Sequence, residues 1–75
     1  MKNYWLIDER KDATFTDNLG ADLETALATA KREWNHLTAH DQKLRTSFML
    51  VLAGEDEDGC VDLDTADVIL ELKED

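Results

Sequence analysis

From Asp22 to Leu37 the apolar residues Leu23, Ala26, Leu27, Ala30, Trp34 and Leu37 recur at steps of three and four. That spacing lines one side of an α-helix, and Glu24, Thr25, Thr29, Lys31, Arg32, Glu33 and Asn35 fall on the other side. Alanine-rich content favours the helix, and Asp22 is placed to cap its first amides. A helix of about four turns is unstable alone, so its apolar stripe requires a partner surface. Trp34 is the largest side chain on that stripe and the expected anchor.

Elsewhere the pattern changes to that of strands. Tyr4-Trp5-Leu6-Ile7 is a strand candidate followed by the polar break Asp8–Asp12. Ala13-Thr14-Phe15-Thr16 reads either as a short second strand or as a loop that inserts Phe15 into the core. Residues 17–20, Asp-Asn-Leu-Gly, have turn chemistry. After the main helix, Thr38 with Asp41 three residues on predicts a cap and one further helical turn through Leu44.

Residues 46–53 form the strongest strand pattern, with Phe48, Leu50 and Leu52 on one face and Met49, Val51 and Ala53 on the other. Apolar residues on both faces predict a central strand, or one whose outer face is covered by a partner. Residues 54–59 read as a turn with Asp58-Gly59 as its hairpin signal. Residues 64–73 admit two readings: Val68, Leu70 and Leu72 alternate as in a strand, whereas Asp64–Asp67 resembles a helix cap. Branched Val68-Ile69 favours the strand. The expected fold is therefore α+β, with one amphipathic helix on one face of a three- or four-stranded mixed sheet in a single domain. A direct pairing of the first strand with the strand after the helix would be parallel.

Size and charge narrow the function. At 75 residues the chain buries little more than ~60% of its unfolded surface, leaving scant room for both a core and a deep pocket. The net charge of −10 is uneven: residues 1–53 hold eight acids against seven Lys/Arg, and residues 54–75 hold ten acids against Lys73. Such an end repels nucleic acid and membranes and attracts basic partners, or it serves solubility alone. A single cysteine, Cys60, the lack of a signal-peptide pattern and the lack of a long apolar run lead to the expectation of a cytoplasmic protein that no membrane holds.

The candidate chemical motifs are poor. Aligning Gly59 with the invariant glycine of a calcium loop places Gly54 and Thr65 where acidic ligands belong. His36, His40 and Cys60 have zinc-like elements, but the break at Thr38 separates the two histidines and no fourth ligand is evident. Ser47 lacks a glycine elbow, and the acids around Cys60 disfavour its thiolate. No cofactor and no catalytic residues are expected.

The segments Ala30-Lys31-Arg32-Glu33-Trp34-Asn35-His36-Leu37-Thr38, Asp41, Asp56-Glu57-Asp58-Gly59 and Asp64-Thr65-Ala66-Asp67 together resemble short uncharacterised proteins of Gram-positive gut bacteria and their mobile elements. The resemblance covers most of the chain. It implies a bacterial cytoplasmic origin and brings no activity or site residues.

Two functions from different classes follow as expectations. One is a non-enzymatic interaction domain that binds a protein partner or a second copy through Trp5, Met49, Val51 and Ile69 on the sheet face away from the helix, with Glu55, Asp56, Glu57 and Asp58 beside it. The other is an acidic inhibitor that presents the carboxylates of residues 55–67 in place of nucleic-acid phosphates to a basic groove.

Overall fold

The computed structural model describes residues 2–73. Four strands form one sheet: β1 (Asn3–Arg10), β2 (Thr14–Gly20), β3 (Arg45–Ala53) and β4 (Asp67–Glu71). Their spatial order is β2-β1-β3-β4 and every neighbouring pair is antiparallel. The sheet is therefore not mixed, and the expected parallel pairing of β1 with β3 is overturned. The physical reason lies in residues 10–13. Lys11 and Asp12 turn the chain back tightly, with the Arg10 amide donating to the Ala13 carbonyl at 2.7 Å, so a full second strand precedes the helix. The helical crossover thus leaves from β2, and β1 lies between the two strands it connects.

Both early strands outrun their apolar segments. Asp8, Glu9 and Arg10 continue β1, and Asp17 to Gly20, expected as a turn, complete β2. Backbone pairing with a neighbour stabilises these polar residues in extended form although their own pattern does not call for it. Leu19 is the extra residue of a bulge opposite the Tyr4–Trp5 step, and Gly20 ends the strand at φ +86°.

The main helix, α1 (Leu23–His36), is capped as its sequence predicts: the Asp22 carboxylate accepts the Thr25 amide at 2.9 Å. Its stripe buries Ala26, Ala30 and Trp34 against Leu6, Phe48 and Leu50, with Leu27 and Leu37 partly buried beside them. Leu23, at the first turn, is exposed. The short α2 (Ala39–Lys43) begins at Thr38, whose hydroxyl accepts the Asp41 amide at 3.1 Å. Gln42 Nε2 donates to the Trp34 carbonyl at 3.1 Å and ties the two helices together.

The second face of the sheet is also buried. Trp5, Ile7, Val51 and Ala53 form a separate apolar cluster, against which Met49, Val61 and Ala66 pack. Val61 and Ala66 belong to the segment between β3 and β4, so that connection folds back as a cover. Residues 64–73 resolve into a single 3-10 turn, η1 (Leu63–Thr65), followed by strand β4. Among the described residues no helix is long and apolar enough to cross a membrane.

Candidate interaction surface

The connection from β3 to β4 is built by its own acids. Asp56 Oδ1 accepts the amides of Asp58 at 2.9 Å and Cys60 at 3.0 Å. The Asp56 amide donates to the Cys60 carbonyl at 2.8 Å, and Glu55 bridges to Val61. Glu57 and Asp58 therefore sit at the tip of a small hairpin, and Gly59 supplies the left-handed step at φ +81°. Six residues on, Asp62 caps the 3-10 turn through the Asp64 amide at 3.1 Å and the Thr65 hydroxyl at 3.1 Å. These two carboxylates replace water as acceptors for amides that no ladder satisfies.

The remaining acids of the segment face solvent. Glu57, Asp58, Asp64 and Asp67 are exposed, and among the described residues none of them pairs with a cation. Glu55 accepts a single 3.4 Å hydrogen bond from Asn18 Nδ2, which joins the hairpin to β2. Arg45 turns to Asp8, and Lys31 and Arg32 are exposed on α1.

The other half of the expected surface is not a surface. Trp5 is 5% exposed, Val51 is fully buried and Met49 is partly buried. Trp5 also donates its indole N–H to the Ala53 carbonyl at 3.3 Å inside the second cluster. The 54–66 segment already covers these residues, so they hold the acidic loop onto the sheet. Of the four apolar residues placed on that face, Ile69 alone is exposed. It is the extra residue of a bulge in β4, where Val51 pairs with Val68 and Leu50 with Leu70.

One polar cluster was not anticipated. Asp8 lies between two guanidinium groups, with Arg45 Nε 2.9 Å from Oδ1 and Arg10 Nη2 3.1 Å from Oδ2. Among the described residues neither Arg45 Nε nor Asp8 Oδ1 has an aligned hydrogen-bond partner, so their contact is an ion pair without a linear hydrogen bond. Arg45 also donates through Nη1 to the Asp41 carbonyl at 3.0 Å, and Arg10 lies 4.7 Å above the Phe15 ring. The signal available in sequence was Asp8, Arg10 and Arg45 at strand positions, but their encounter depends on the pairing of β1 with β3. Beside the cluster, an open cleft of ≈ 390 Å³ runs between β2 and the end of α1 and is floored by Leu6 and Phe48. Among the described residues no three His, Cys, Asp or Glu side chains converge as a metal site.

No protein-family model matches this chain, and no curated protein or solved structure is significantly similar to it.

Proposed function

We propose that this chain is a non-enzymatic, cytoplasmic protein-interaction domain whose docking surface is the acidic face of the 54–67 segment. The observation that supports this reading is a division of labour among the carboxylates. Asp56 and Asp62 are consumed in shaping the segment, while Glu57, Asp58, Asp64 and Asp67 are exposed and have no cationic partners among the described residues. A shaped loop anchored by Val61 and Ala66 on the buried second cluster presents those charges without first having to order itself. Unpaired like charges on such a scaffold complement a Lys/Arg-rich surface and accelerate its association.

The test compares the chain with the Glu57→Gln, Asp58→Asn, Asp64→Asn variant as bait in its native cytoplasm. The expected result is salt-sensitive capture of a basic protein by the unaltered chain and none by the variant, with both melting at similar temperatures. Equal capture by both, or capture of no basic protein, would overturn the reading. Release of the captured protein by added nucleic acid would show that the acids substitute for phosphates.

A further inference from the structure

The two edges of this sheet differ. β4 is five residues long, carries Asp67 and Glu71 at its ends and is interrupted by the Ile69 bulge, all features that discourage a further strand. β2 is regular over Thr14 to Asn18, which pair with Glu9 to Trp5 in unbroken register and are exposed throughout, with Asp17 the one charged residue among them. It also contains no lysine and no proline. The alternation of an antiparallel ladder fixes which of its backbone groups are free. The Arg10 amide donates to the Ala13 carbonyl, so Phe15 and Asp17 turn their amides inward to β1, whereas Thr14, Thr16 and Asn18 turn theirs outward.

We propose that two copies of this chain pair antiparallel through their β2 edges about a two-fold axis at Thr16, making one continuous eight-stranded sheet. Charge and register together fit a second copy of the chain to this edge. Centring on Thr16 sets Thr14 opposite the partner's Asn18, and all three outward-facing residues of each strand then meet outward-facing residues of the other. The same register sets Phe15 opposite the partner's Asp17. Asp17 is exposed and has no cationic partner among the described residues, and Arg10 lies over the Phe15 ring. Cross-strand neighbours stand ~5 Å apart, so each Asp17 carboxylate reaches the Arg10 guanidinium of the other copy. Two symmetric ion pairs thereby flank a Thr16–Thr16 pair, a combination that suits adjacent strands. Shifting the axis to Asp17 would instead set two carboxylates against each other, which selects against that register. This inference does not depend on the acidic loop acting as a docking surface.

Sedimentation equilibrium of the whole chain tests it, since the monomer has a mass of 8.5 kDa. The expected result is twice that mass at high micromolar concentration. Thr16→Pro removes an outward amide that β1 does not use, so it should yield a folded monomer with an unchanged melting curve at low concentration. Asp17→Arg places like charges together and should weaken the dimer by at least about tenfold, independently of any effect of proline on folding. Ile69→Lys on the opposite edge and Glu57→Gln in the acidic loop should leave the mass unchanged. A monomer at all concentrations, or a dimer that survives both β2 variants, would overturn the proposal. Dissociation by Ile69→Lys would overturn it as well and move the interface to β4.

Discussion

The Trp34 ring meets Phe48 with centroids 5.1 Å apart and planes tilted by 47°, joining the last turns of α1 to the centre of β3. Tilted aromatic pairs at this separation gain ~0.5–1.5 kcal/mol beyond the area they bury. Trp34 is 8% exposed and Phe48 3%, so the contact belongs to the core. Trp34→Ala should cost ~3–5 kcal/mol, a large share of the stability of so small a domain. Urea titration measures it, and a loss below ~1 kcal/mol would mean that α1 does not depend on this anchor.

A second prediction concerns the carboxylate shared by Arg10 and Arg45. The Arg45 side chain is 8% exposed and that of Asp8 15%, whereas Arg10 is 39% exposed. Removing Asp8 leaves two guanidinium groups facing each other, one of them buried, so Asp8→Ala should cost ~3 kcal/mol or more. Arg10→Ala leaves the Asp8–Arg45 pair intact and should cost about 1 kcal/mol or less. Equal costs for the two variants in denaturant titrations would refute this ordering.

The Asp56 side chain holds two backbone amides of the acidic hairpin. Asp56→Ala should therefore cost about 1–2 kcal/mol, and Asp56→Asn, which keeps an acceptor oxygen, appreciably less. Amide exchange supplies the local readout: the Asp58 and Cys60 amides should lose protection in the alanine variant. If their exchange is unchanged, the carboxylate does not shape this turn.

Acid should weaken the start of α1. The hydrogen bonds that Asp22 accepts from the Thr25 hydroxyl and then the Thr25 amide hold its carboxyl below the usual aspartate pKa. The folded chain then binds fewer protons at this site than the unfolded chain. Its stabilisation is complete above the unfolded value of about 3.9 and disappears as pH falls through the lowered folded value. Asp22→Asn caps the helix but does not titrate there. The advantage of the unaltered chain in melting temperature should therefore shrink as the solution is acidified below about pH 4. Parallel pH profiles for the two chains would contradict this assignment.

The sequence by itself determined the elements whose stabilising contacts are local or strongly periodic. The stripe from Ala26 to Trp34, the caps at Asp22 and Thr38 and the apolar run of β3 all appear where their residues place them. Caps and helix periodicity act over three or four residues, so the sequence contains both partners of each contact. Tertiary structure alone decided the rest. Asp8 to Arg10 and Asp17 to Gly20 are extended because a neighbouring strand accepts and donates their hydrogen bonds, and nothing in their own composition requires it. The outcome for Trp5, Met49 and Val51 turned on what covers their face. Val61 and Ala66, distant in sequence, fold over it and leave the carboxylates of the same segment outside. An alternating strand pattern reveals that both faces are apolar, but it does not say whether the chain's own loop or another molecule buries the second one.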